Sequence, residues 1–262
     1  MLGAIIGDIA GSRFEWDNIK IKEFELFTDR CRPTDDSVMT LAVAQAVLNS
    51  EGNNSRLGTE AIACMQGLGR KYPAAGYGRS FRRWVFSFDP VPYHSFGNGA
   101  AMRVSPCAWA AVSLEEAKAM ARAVTEVTHD HPEGLKGAEA AAVAAYLALH
   151  GSGIPEIRAQ ISEYYYPLDF TLDEIRPEYS FDVSCQGSVP QAITAFLEST
   201  SFEDAIRNAI SIGGDSDTIA AIAGGIAGAF YGVPEELRHQ ALRFLDAEQE
   251  HILYCFEERY GK

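Results

Sequence analysis

The stretch "LGAIIGDIAG" at residues 2–11 spaces Gly3, Gly7 and Gly11 four residues apart. On a helix that spacing puts all three on one face, and each glycine costs about 1 kcal/mol relative to alanine in a helix interior. A chain tolerates that cost where another backbone must come close. A second stretch, "IAAIAGGIAGAFYG" at 219–232, is equally rich in small residues. Elsewhere apolar residues recur at helical rather than alternating spacing, punctuated by glycine and proline, and strand signals are sparse. Helices are expected at about 2–12, 35–49, 56–71, 98–111, 114–127, 134–149, 154–162, 186–199, 202–212, 216–231 and 234–254, with irregular segments at 13–33, 73–97 and 164–184. The fold class is all-α. No linker, low-complexity stretch or fixed-period repeat divides the chain, so residues 1–262 are read as one domain, long enough to bury roughly three-quarters of its unfolded surface.

Lys and Arg number 22 against 36 Asp and Glu, a formal charge of −14. Nucleic-acid binding depends on neutralising phosphates with Lys and Arg, so a nucleic acid is not the expected primary partner and a small ligand is. One basic stretch, "GRKYPAAGYGRSFRRW", gathers Arg70, Lys71, Arg79, Arg82 and Arg83 without an acidic residue; it reads as a solvated face paired with acids elsewhere. Five scattered cysteines with no C-x-x-C pair fit reduced thiols. The apolar N-terminus lacks a basic region and is interrupted by Asp8, unlike a secretory signal. The uncharged run from Thr218 to Val233 is shorter than the ~20 residues of a membrane span. The expected location is the cytoplasm, with no membrane partner.

"PTDDSVMTLAVAQAVL" sets Thr34, Asp35 and Asp36 at the start of an apolar helix. Capping accounts for one such side chain, which satisfies a free N–H for about 1 kcal/mol and meets the positive end of the helix dipole. A counterpart, "SIGGDSDTIAAIAGGIAGAF", places Asp215, Asp217 and Thr218 ahead of a second very apolar helix. If the two motifs converge, four carboxylates share one site. Two unit charges ~4 Å apart repel by about 4 kcal/mol at an effective dielectric of 20, so something must neutralise them. No Lys, Arg, Cys or His lies within either motif. The available ligands are hard oxygens, which suit Mg²⁺ or Mn²⁺ rather than a structural zinc, and four acids with two hydroxyls can hold a pair of ions, as in two-metal hydrolases. Prenyl-diphosphate and terpene synthases are all-α proteins that also use aspartate-rich metal motifs, but their first motif resembles D-D-x-x-D, and here the fifth place is Met39.

The stretches "GAIIGDIAGSRFE", "TDDSVMTLAVAQAVL", "SFGNGAAMRVSP", "THDHPEG" and "GGDSDTIAAIAGGIAGAFYG", in that order, resemble the ADP-ribosylglycohydrolases, a family that includes the dinitrogenase-reductase-activating glycohydrolases. The resemblance implies a single compact orthogonal helical bundle around two divalent ions, Mg²⁺ or Mn²⁺. The implied activity is hydrolysis of the glycosidic bond between ADP-ribose and an acceptor, with an ADP-ribosylated protein or a small ADP-ribose derivative as substrate. On matching positions, Thr34, Asp35, Asp36, Asp215, Asp217 and Thr218 are implied metal ligands, joined by Glu15 on a mobile loop. Glu15, Asp35 and Asp36 are then the groups expected to handle protons. The matching G-N-G stretch, Ser95, Phe96, Gly97, Asn98, Gly99 and Ala100, is implied to contact diphosphate and ribose, where backbone N–H groups at a helix start can cradle phosphate. His129 resembles a histidine near the ligand, whereas His131 precedes Pro132 and is read as shaping the start of the next helix. A relative that binds ADP-ribose without turnover is the alternative, and the intact ligand set weighs against it.

Overall fold

The glycine face of the first helix is used as its spacing requires. Leu2–Gly11 is buried along its whole length and makes its most extensive contact with the helix Ser216–Tyr231. A Cβ on Gly3 would stand 2.1 Å from the carbonyl oxygen of Gly224, and one on Gly7 would stand 2.0 Å from that of Ala220. The two backbones therefore touch, and neither can retreat without unpacking the core.

A computed structural model describes residues 1–261, which form fourteen α-helices and one 3-10 turn, with no strand among the described residues. Asp35–Ser50 packs on both members of the glycine-lined pair, while Pro132–Leu149, Cys185–Leu197 and Phe202–Ser211 pack around Ser216–Tyr231. Ile5, Ile6, Ile9, Met39, Leu41, Phe196, Ile206 and Ile219 belong to one contiguous apolar core. The glycine-lined pair is buried among these helices, so the polar residues at its ends are held by a closely packed part of the molecule. No described helix is long and apolar enough to cross a membrane.

The helix Ser216–Tyr231 has the expected bounds, and most others agree to within two residues. Two expected helices are broken. The 98–111 segment becomes a 3-10 turn at Asn98–Ala100, then a bend, then Ser105–Ala110, because Pro106 has no N–H to continue a helix and instead sits in the first turn of a new one. The 234–254 segment divides into Glu235–Leu242 and Ala247–Tyr260. Asp246 starts the second piece with a capping box, its carboxylate accepting from the N–H groups of Glu248 and Gln249 while the Gln249 side chain accepts from its own N–H. The irregular segments 73–97 and 164–184 each hide a short helix, Arg79–Val85 and Leu172–Ile175, too brief for a periodicity to register.

Candidate active site

The three central helices bring carboxylates to one end of the glycine-lined pair. Asp8, in the last turn of Leu2–Gly11, is fully buried and anchors the start of Asp35–Ser50. Its carboxylate accepts from the Thr34 N–H at 2.8 Å, the Thr34 hydroxyl at 2.5 Å, the Ser37 N–H at 3.0 Å and the Ser37 hydroxyl. Asp8, Asp36 and Asp217 each place a carboxylate oxygen within 4.8 Å of the others, and so do Glu15, Asp215 and Asp217. Asp217 is common to both triads. The Thr218 hydroxyl donates to Asp36 Oδ2 at 3.2 Å. Asp35 lines the same cavity but belongs to neither triad. The Thr34 side chain caps its helix by accepting from the Asp36 N–H, and its proton goes to Asp8. Asp8 is an acid to which the sequence alone assigns no role beyond a charge interrupting an apolar run: it directly follows Gly7 in a helix with no other charged residue, so no polar pattern flags it.

The second triad is held by loops. Gly213 and Gly214 both adopt left-handed backbone, φ +71° and +76°, a conformation open to glycine that turns the chain into Asp215. Asn18 clamps this turn to the Glu15 loop, accepting from the Gly214 N–H at 2.8 Å and donating to the carbonyls of Gly214 and Glu15 at 2.9 and 3.1 Å. Lys20 adds bonds of 2.6 Å to the carbonyls of Tyr179 and Ile212. The expected irregular segment 13–33 is thus stitched to the second acidic motif. On the other side, Asn98 donates to Asp215 Oδ2 at 2.7 Å.

Burial and mutual repulsion push these carboxyls upward. Glu15 rises to about 7, first through burial and then through Asp215; Asp35 rises to about 8 through burial, Asp8 and Asp215; Asp36 and Asp217 rise well above the ordinary range for the same reasons. Asp36 Oδ1 is buried with no hydrogen-bond partner. An all-oxygen donor set, an orphaned carboxylate oxygen and the lack of an ion pair to any of these acids among the described residues together fit hard divalent cations. A folded-state pKa above the unfolded value of ~4 means that the folded protein holds protons the unfolded chain has released. The stability of metal-free protein is therefore expected to fall as pH rises from about 4 toward 8, by at least ~5 °C in melting temperature between pH 5 and 8, and Mn²⁺ added at pH 8 is expected to restore it. Thermal unfolding in chelator checks this; a melting temperature flat across that window would contradict it.

The acids open into a cavity of about 450 Å³ that Ser95, Gly97, Asn98, Gly99 and His129 also line, a volume in the range of small-ligand sites. Phe96 and Ala100, expected beside them, do not reach it: Phe96 turns outward and meets His131 edge-on at 5.3 Å, and Ala100 is buried in the core. The expected phosphate cradle is also leaner than the sequence suggested. The Gly97 N–H goes to Ser95 Oγ, the Asn98 N–H to the Val183 carbonyl and the Ala100 N–H to the Gly97 carbonyl, which leaves the Gly99 N–H. These bonds, with a bridge between Gly97 and Ser184, fix the turn. His131 caps Pro132–Leu149, its Nδ1 accepting from the Glu133 N–H. Of the five basic residues in that stretch, Arg79 lines the cavity; Arg70 and Arg82 bond backbone carbonyls and Lys71 pairs with Glu248. At the cavity mouth, exposed Trp16 stacks on Phe181 with centroids 4.9 Å apart.

The ADP-ribosylglycohydrolase family model matches residues 1–258. The chain belongs to the ADP-ribosylglycohydrolase family. Within this family, it is 28% identical to ADP-ribosylhydrolase ARH3 of Xenopus tropicalis, over 97% of this chain and 94% of that one. It is 26% identical to ADP-ribosylarginine hydrolase Tri1 of Pseudomonas putida (strain GB-1), over 89% and 70% of the two chains. Identity to the ADP-ribosyl-[dinitrogen reductase] glycohydrolase of Rhodospirillum rubrum is 25%, over 77% and 70%. A solved ADP-ribosylglycohydrolase-related protein complex contains a chain of the same fold, with TM-score 0.71, 24% identity and coverage of 100% of this chain and 96% of that one.

Proposed function

We propose that the protein hydrolyses the glycosidic bond between ADP-ribose and an acceptor, an ADP-ribosylated protein side chain or a small ADP-ribose derivative. The observation that carries this reading is the pair of carboxylate triads joined at Asp217, opening into a cavity lined by the G-N-G turn. Residues 1–262 act as one domain, since the site draws on the helices Leu2–Gly11 and Ser216–Tyr231 alike. Asp8 is added to Glu15, Thr34, Asp35, Asp36, Asp215, Asp217 and Thr218 as a group that holds two Mg²⁺ or Mn²⁺ ions. Ions held there would offset the carboxylate charge and would supply Lewis acidity to a substrate hydroxyl and to water.

The chain's own groups account for the rest. Hydrolysis breaks the bond from the anomeric carbon to the acceptor nitrogen or oxygen; water adds its hydroxyl to the carbon, and its proton ends on the acceptor. Glu15, on the loop at the cavity wall, is the group proposed to exchange that proton. Cationic charge growing at the anomeric carbon is stabilised by the surrounding carboxylates, as in glycosidases generally. Asn98, bonded to Asp215, holds that carboxylate in place and ties the G-N-G turn to the acidic cluster. Ser95, Gly97, Gly99 and His129 receive the ADP part of the substrate.

Purified protein incubated with ADP-ribosylated arginine, ADP-ribosylated serine and O-acetyl-ADP-ribose, with Mg²⁺ or Mn²⁺ and with EDTA, tests the reading. Release of ADP-ribose from at least one substrate, abolished by EDTA, is expected. Release that EDTA leaves untouched would overturn the metal assignment, and tight ADP-ribose binding with no release from any substrate would make the protein a non-hydrolysing relative.

A further inference from the structure

Arg103 is fully buried, yet no carboxylate pairs with it among the described residues. Its guanidinium donates to the Val124 carbonyl at 3.2 Å and to the Thr128 hydroxyl at 2.6 Å, leaving Nε without a partner. The charge lies on the wall of the cavity. The same Thr128 hydroxyl lies 2.7 Å from Nδ1 of His129 and 3.3 Å from the Thr125 carbonyl.

A hydroxyl has one proton to give. The contact to His129 has the length typical of a strong O–H hydrogen bond, whereas 3.3 Å is long for one. The shorter of the two contacts therefore favours giving the Thr128 proton to Nδ1, with one lone pair accepting from Arg103 and the ring proton left to Nε2. Burial and the Arg103 charge also hold the ring well below its ordinary pKa, so it stays neutral. Nε2 has no partner within the described protein and faces the G-N-G turn: a Cβ on Gly99 would lie 3.3 Å from it, and one on Gly97 3.7 Å. The Gly99 N–H, which has no partner among the described residues, belongs to the same turn.

We propose that Arg103 and Thr128 are positioning residues that lock His129 as the neutral Nε2–H form, a fixed hydrogen-bond donor to a phosphate oxygen of the substrate at the Gly97–Gly99 turn. The phosphate partner rests on the proposed function; the relay rests on the hydrogen bonds alone. His129 on this account exchanges no proton during the reaction. The buried guanidinium supplies a positive potential to a cavity otherwise dominated by acids, which favours an anion at one end and cations at the other.

Nitrogen NMR of the full chain labelled in histidine, with and without ADP-ribose, reads the ring directly. An unprotonated Nδ1 and a protonated Nε2 are expected for His129, and a protonated Nδ1 in the wild type would overturn the relay. Calorimetry with ADP-ribose then compares Thr128→Val with Thr128→Ser. The valine variant is expected to bind about tenfold more weakly, the equivalent of ~1.4 kcal/mol, the serine variant to bind within about twofold of wild type because it keeps the hydroxyl, and both to bind Mn²⁺ as wild type does. A valine variant that binds ADP-ribose like wild type would refute the positioning role. A wild type that ignores ADP-ribose overturns the proposed function and the phosphate partner with it, whereas the ring nitrogens decide the relay by themselves, whether or not the valine variant folds.

Discussion

Asp36→Asn and Asp217→Asn are expected to lower ADP-ribosyl hydrolysis at least ~10³-fold while leaving a folded protein whose metal-free form melts higher than wild type. Removing a group that merely supports a metal ligand typically costs about 10–100-fold, and these two side chains are proposed as ligands themselves. The rise in stability follows from the same charges. Each carboxyl is pushed upward by burial and by its acidic neighbours, so an uncharged isostere relieves repulsion that metal otherwise offsets. Asparagine at position 36 keeps an oxygen to accept from the Thr218 hydroxyl, so little packing is lost. Steady-state rates with Mn²⁺, set beside melting curves in EDTA, separate the two effects. Variants that unfold in EDTA would show that these aspartates serve chiefly to start their helices.

Gly7→Ala is expected to cost at least ~3 kcal/mol of stability and to lose metal binding together with activity. Overpacking a core usually costs about 1–3 kcal/mol because side chains can shift. Here the added methyl would meet the Ala220 carbonyl at 2.0 Å, and a helix backbone cannot rotate out of the way as a side chain does. Separating the two helices also draws Asp8 away from Asp217, since each helix of the pair carries one of them. Gly67→Ala is the control, since nothing lies within 4 Å of a Cβ there. Denaturant midpoints and Mn²⁺ titrations of both variants measure the difference. A Gly7→Ala protein as stable as wild type would mean that the glycine contact does not set the geometry of the site.

The legible parts of the molecule were those where one physical demand dominates a local stretch. Glycines at four-residue spacing point to close approach of another backbone, and two Thr-Asp clusters at helix starts exceed what capping needs, so tight packing of the glycine-rich helices was legible, whereas which helices pair was not and the convergence of the two acidic motifs was legible only as a condition. Asp8 could not be read from the chain, because its role depends on donors 26 and 29 residues away, on Thr34 and Ser37. Asn18 was hidden for the same reason, its partner being Gly214.

The G-N-G turn was legible as a turn but not as a ligand surface. Whether its N–H groups face a ligand depends on what Ser95 and Val183 do with them, and Val183 lies far along the chain. Pro106 carried a signal that was open to reading, since a proline inside an expected helix marks a break. The Arg103–Thr128–His129 relay sits at the far limit: it requires the tertiary fold to bring a buried guanidinium to a hydroxyl 25 residues on.

Counting the Mn²⁺ ions bound by the metal-free chain, by electron paramagnetic resonance in wild type and in Asp217→Asn, tests the central claim most directly. Asp217 is common to both carboxylate triads, so wild type should saturate at two ions per chain and the variant should hold neither tightly. A wild type with no saturable Mn²⁺ binding, or a variant that binds as wild type does, would contradict the account.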